Sequence, residues 1–206
     1  MIQKDTARLW EELRHRDPEE KQEWIRQLAE NPTPESIEVL LDVLKQESWF
    51  LRDQAARTLA TLGERVVERL IELLEFGLWY TRSAAASALG RMALPVAAVP
   101  LVALLRDPNR TVRDSGRDAL VGLCGNEMGL FAVADAIRSL PERAQSFALD
   151  GIQSRDPERH QRLLGLLREP SALDAAARRV KDRGSAEESG LLWEDVVGEE
   201  GARGSA

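Results

Sequence analysis

Two aromatic pairs, Trp49-Phe50 and Trp79-Tyr80, stand out among the residues able to do chemistry, because they recur one short interval apart. Five of the ten aromatic residues are Trp, so flat apolar side chains are concentrated at a few positions. Exposed side by side, such pairs make a platform for a partner peptide or a flat ligand; turned inward, they cover the end of a helical pair. Arg52, Arg82 and Arg113 recur at nearly the same interval. A line of guanidinium groups can take up carboxylates or phosphates, or it can tie neighbouring segments together, with Asp53 and Asp114 beside two of the three.

Reaction chemistry has less to work with. The two histidines, His15 and His160, lie near opposite ends of the chain, and no Gly-x-Ser-x-Gly elbow or glycine loop ending in Gly-Lys occurs. Cys124 is the single cysteine, which rules out an internal disulfide and a multi-cysteine zinc site, and it reads as a buried, inert thiol. The carboxylates are many, but no pair of them is marked out for acid–base work. These residues identify no catalytic group and no metal ligand, and they require no cofactor.

The elements that position these residues follow from an internal repeat. WFLRDQAARTLATL from Trp49, WYTRSAAASALGRM from Trp79 and RTVRDSGRDALVGL from Arg110 align without gaps, with Leu59, Leu89 and Leu120 in register. Upstream of each lies a second apolar pattern closing on Leu44, Leu74 and Leu105. Two amphipathic segments per period predict helical hairpins in tandem, with Ala55, Ala56, Ala85 and Ala86 permitting close approach and leucines filling the seams. The signal continues more faintly outward, to Leu28 on one side and Leu149 on the other. Asp17-Pro18, Asp107-Pro108 and Asp156-Pro157 are positions where Asp can cap and Pro can open a helix. No stretch alternates with period two, so no strand is expected.

The segment LLRDPNRTVRDSGRDALVGL and its Trp-containing counterparts resemble HEAT repeats of the short, phycobilisome-lyase-like type. The resemblance implies an all-α fold, a right-handed α-solenoid of five to six hairpins. Clear repeats would cover residues 37–123, with degenerate ones over 3–31 and 130–182. It also implies that Trp is an accepted turn residue and that the repeat arginines join adjacent repeats. The His-Glu pairs of HEAT-type iron hydroxylases are missing. Gly116 and Arg117 depart from the repeat pattern, replacing the alanine pair, which predicts looser or displaced packing onto the following hairpin.

In such a solenoid the second helix of each hairpin lines the concave face. The positions expected to avoid the core are Asp53, Gln54, Arg57 and Thr61, then Ser83, Ala84, Ser87 and Arg91, then Asp114, Ser115, Asp118 and Gly122. That surface is small, polar and mixed in sign, suited to an extended peptide or a helix. The expected partner-binding residues are therefore Trp49, Phe50, Trp79, Tyr80, Arg57, Ser87, Arg91 and Asp118. Residues 183–206 carry two basic and six acidic groups and form an acidic tail expected to be disordered. Within it Leu191, Leu192, Trp193, Val196 and Val197 make an apolar knot, read either as a docking motif for a partner or as a cap for the last hairpin.

The formal net charge is −7, and much of the excess lies in the tail, leaving a nearly neutral body. A neutral body argues against nucleic acid as partner, since strong phosphate binding needs a basic stripe. The longest apolar stretch, residues 92–105, is too short to span a bilayer and contains two prolines. With one cysteine and no apolar leader core after Lys4, the expected compartment is the cytoplasm. The leading expectation is a non-catalytic scaffold for a protein or peptide partner. The alternatives are a chromophore lyase or isomerase subunit acting in a complex, and a nucleic-acid-binding solenoid.

Overall fold

A computed structural model describes residues 2–46 and 48–168. The expected partner of the last helix, residues 171–182, and the tail motif lie outside them. Among the described residues every regular element is helical. Five hairpins succeed one another: α1 (Ile2–Arg14) with α2 (Pro18–Gln27), α3 (Pro34–Gln46) with α4 (Trp49–Ala60), α5 (Glu64–Phe76) with α6 (Trp79–Met92), α7 (Ala98–Ala103) with α8 (Arg110–Leu123), and α9 (Glu127–Arg138) with α10 (Glu142–Gln153). The helix α11 (Pro157–Arg168) opens a sixth. The fold is an α-solenoid.

Local chemistry sets the helix starts. Asp17 accepts from the Glu19 and Glu20 amides while Glu20 reaches back to the Asp17 amide, a complete capping box with Pro18 at the first helical position. Asp156 caps α11 through the Arg159 amide. Asp107 does not cap α8, contrary to expectation. Asn109 does so, accepting from the Thr111 and Val112 amides, and the helix begins two residues beyond Pro108. Asp107 is released to accept from the Asn109 amide and from Arg82.

Leu59, Leu89 and Leu120 are fully buried, as is Leu44, and Leu74 and Leu105 are nearly so. The second helices α2, α4, α6, α8 and α10 pack on one another in sequence, whereas α5 leans chiefly on α6 rather than on its first-layer neighbours. From α4 through α6 to α8 the second-helix layer is the tighter one. The tightest approach is between α6 and α8. A Cβ on Gly122 would lie 2.5 Å from the Gly90 carbonyl oxygen, and one on Gly90 would lie 2.5 Å from the Ala119 Cα.

The register of the fifth hairpin differs from the expected one. Counting from the start of each second helix, the position of Leu120 in α8 is held in α10 by Ile152, fully buried, and not by half-buried Leu149. Gly116 occupies the place of Ala55 and Ala85 and is itself buried, with Leu104 Cβ 3.0 Å from where its Cβ would stand. Beside it, Arg117 fills the seam to α10. Its side chain lies about 3.1 Å from a notional Cβ on Gly151, its guanidinium is 5.5 Å from the Phe147 ring centre, and it donates to Asp114 at 2.7 Å. The seam between α8 and α10 is looser than the other second-helix seams, as expected, and an arginine lying against a glycine stands where the alanine pair is lost.

Candidate functional site

The two aromatic pairs begin equivalent helices, α4 and α6, at the same rim of the solenoid. Trp49 is 73% exposed and Trp79 is 47% exposed. Within each pair the rings meet edge to face, at 6.0 Å for Trp49–Phe50 and 5.5 Å for Trp79–Tyr80. This arrangement fixes each Trp against its neighbour and leaves a face to solvent. The Arg52 guanidinium lies 4.6 Å from the Tyr80 ring centre, which joins the two pairs across the hairpin boundary.

Between the pairs opens a shallow groove of about 280 Å³, bounded by Trp49, Trp79 and Tyr80 and running over Arg52, Asp53, Ser83, Ser87 and Ser115. A second section of about 290 Å³ continues from Ser87 and Ser115 past Gly90 and Arg91 to Asp118 and Gly122. The two sections share Ser87 and Ser115, so one trough follows α6 from its aromatic start towards its end. Of the expected binding residues, Trp49, Trp79, Tyr80, Ser87, Arg91 and Asp118 line this trough. Phe50 and Arg57 do not: Phe50 supports the edge of Trp49, and Arg57 turns back on its own helix to Asp53 at 2.8 Å. Ala84, expected to avoid the core, is buried, whereas Gly122 lines the second section as expected and also lies against Gly90.

The polar groups of this face are cross-linked between repeats. Gln22 donates to Gln54, the hydroxyls of Ser83 and Ser115 meet at 2.7 Å, and Arg91 reaches Asp53 at 3.4 Å. Asp118 pairs with Arg155 at 2.9 Å, and Asp114 gathers Arg110, Arg117 and Arg155. Acids and bases alternate along the trough, so its field is mixed in sign.

The arginine ladder separates into different tasks. Arg82 holds Asp107 with two bonds of 2.8 and 2.9 Å and also donates to the Gly77 carbonyl. Its partner is a loop acid of the next hairpin. Arg113 donates to the carbonyls of Asp107 and Pro108. Burial raises the Asp107 pKa, but the bonds from Arg82 and the Asn109 amide, with the nearby charges of Arg82 and Arg113, outweigh it and hold the carboxyl below its ordinary range. Cys124 is fully buried, and burial pushes its thiol up to about 12. His15 bonds Glu11 at the surface, while His160 is buried in α11.

Phe76 and Leu78, on the turn between α5 and α6, are 84% and 62% exposed, and sequence periodicity did not single them out. Their signal was present, since two large apolar residues flank Gly77 where the helix must end. With Trp49, Phe50 and Trp79 they make the rim of the second and third hairpins apolar. Among the described residues no helix is long and apolar enough to cross a membrane, and no three His, Cys, Asp or Glu residues are placed to hold a metal ion.

A row of helical hairpins with a buried leucine ladder and a polar trough along its second helices defines a tandem-repeat solenoid. The HEAT-repeat family model matches the chain twice, over residues 6–75 and 51–121, together more than half of its length. The chain belongs to the HEAT-repeat family. Two crystal structures of engineered proteins are similar to it, each at 21% identity over 85% of this chain; they are covered to 94% and 96%, with TM-scores of 0.39 and 0.38. No curated protein matches the chain.

Proposed function

We propose that this protein is a non-catalytic scaffold that holds an extended segment of a protein partner in the trough along α6, anchored at the Trp49/Trp79 edge. The observation that carries the reading is the placing of both exposed tryptophans on the walls of one groove whose floor is polar. HEAT repeats suggest a protein-interaction role in general. Exposed Trp and Tyr supply large contact area at little entropic cost, the residue types that dominate protein interfaces. Ser83, Ser87 and Ser115 offer hydroxyls to a peptide backbone, while Arg91 and Asp118 give the far end both signs of charge. Acids alternating with arginines on this face speak against a polyphosphate ligand.

The test is capture of a partner from cell extract by immobilised protein, followed by the Trp49→Ala/Trp79→Ala double variant. The expected result is loss of the captured protein with an unchanged helical circular dichroism spectrum. Capture that survives the double variant would sink the assignment. Titration with a bilin is the counter-test, because a spectral change would favour the chromophore-lyase alternative.

A further inference from the structure

Hairpin helices alternate in direction, so the first helix of every pair ends at one rim of the solenoid, where the second begins. Far along that rim from the tryptophans lies a pocket of about 610 Å³, between the end of the fourth first helix and α10. Leu105, Pro141, Ala144 and Phe147 supply its apolar lining. Phe147 is 45% exposed and is backed on its inner side by the Arg117 guanidinium. Arg106 and Arg143 stand exposed at the mouth, and Asp150 is the acid in the lining. The pocket is thus apolar at its base and predominantly basic at its edge.

The chain itself contains a segment with the complementary character. Leu191, Leu192, Trp193, Val196 and Val197 surround Glu194 and Asp195, in a stretch where acids outnumber bases six to two. The last described helix, α11, packs on α9 and α10 and is a first helix, so Arg168 emerges at the rim that holds the pocket. With residues 171–182 expected to return as a helix over about 18 Å, the chain from Asp182 to Leu191 can still span up to about 30 Å, enough to come back to that rim. Tethering at that length gives an effective concentration of about millimolar, so modest complementarity suffices.

We infer that the segment 191–197 docks in cis into this rim pocket, with Trp193 against Phe147 and with Glu194 and Asp195 towards Arg106 and Arg143. The contact covers the apolar rim of the last complete hairpin. It is separate from the trough proposed for the partner.

The experiment is hydrogen–deuterium exchange of the full chain at low micromolar concentration, comparing wild type with Phe147→Asp/Arg143→Glu and, independently, with Trp193→Ala. Wild-type amides of residues 191–197 should exchange at least about tenfold more slowly than those of a free peptide of the same sequence. Both variants should return them to the peptide rates, and raised salt should weaken the protection. Trp193→Ala leaves the helical body untouched, so it decides the matter even where the pocket variant is unstable. Peptide-like rates in the wild type overturn the inference, as does protection that survives Trp193→Ala. Protection that disappears on dilution, together with a dimer in light scattering, would assign the pocket to a second copy instead.

Discussion

Arg82 closes on Asp107 with both ends of its guanidinium, in a setting where the Arg82 side chain is 18% and the Asp107 side chain 8% exposed. A partly desolvated ion pair gives limited net stabilisation, but removing one member leaves the other without its partner. Arg82→Ala is therefore expected to cost about 3 kcal/mol, read from urea midpoints. Arg82→Lys should recover little, since an ammonium cannot make the paired bonds. The pH dependence follows from the lowered Asp107 pKa. A carboxylate with a depressed folded-state pKa contributes stability that is fully present above its unfolded value, about 3.9, and is lost as pH falls through the folded value. The difference between wild type and Asp107→Ala should then be constant near neutrality and shrink below about pH 4. A difference that grows on acidification would contradict the assignment. The ladder of three arginines was legible in the sequence, but the partner of Arg82 was not. Periodicity locates residues on helices, whereas Asp107 acts from a loop whose path depends on Asn109 taking the cap.

At the scale of the element, α6 and α8 show what a glycine can do inside a repeat. Gly122 sits where its Cβ would meet the Gly90 carbonyl, a backbone atom that cannot rotate away. In an open helix, Gly→Ala stabilises by up to about 1 kcal/mol through helix propensity. At Gly122 the two helices must part, and overpacking costs typically 1–3 kcal/mol, so Gly122→Ala should destabilise. Gly165 in α11 has nothing within 4 Å of its would-be Cβ, and Gly165→Ala should stabilise. Opposite signs for the same substitution, measured by chemical denaturation, test the close approach directly; equal signs would refute it. These contacts also mark where sequence reading stops. The buried leucines of α4, α6 and α8 were legible because hydrophobic period reports burial. Gly122 does line the open face, as expected, but its contact with Gly90 was not legible, and Ala84 is buried, because small residues satisfy either an exposed or a tightly packed position. Ile152 was missed in favour of Leu149, since the fifth hairpin is offset from the fourth and a fixed period carries the count to the wrong turn.

For the whole molecule, stability should be distributed as in a one-dimensional array, where each hairpin gains from its own packing and from its neighbours on either side. The middle hairpins have two neighbours and the α6–α8 approach; α1 and α2 have only one. The fully buried side chains reflect this: α4 and α6 add Ala55, Ala56, Ala85, Ala86 and Ala88 to Leu59 and Leu89, whereas the first hairpin fully buries Leu13 and Ile25. Native-state hydrogen exchange should therefore give the highest opening free energies for α4, α6 and α8, and lower values for α1 and α2. The candidate trough lies on the three helices expected to be most protected, so a peptide should meet a preformed surface and pay little to order it. Its aromatic start lies at hairpin turns, where Trp49 and Trp79 are each already held edge to face by a neighbouring ring. Uniform opening energies from α1 to α10 would mean a single cooperative unit and would refute the array description. Slow exchange confined to α9 and α10 would place the stability centre away from the trough, and the case for a preformed binding surface would then fail with it.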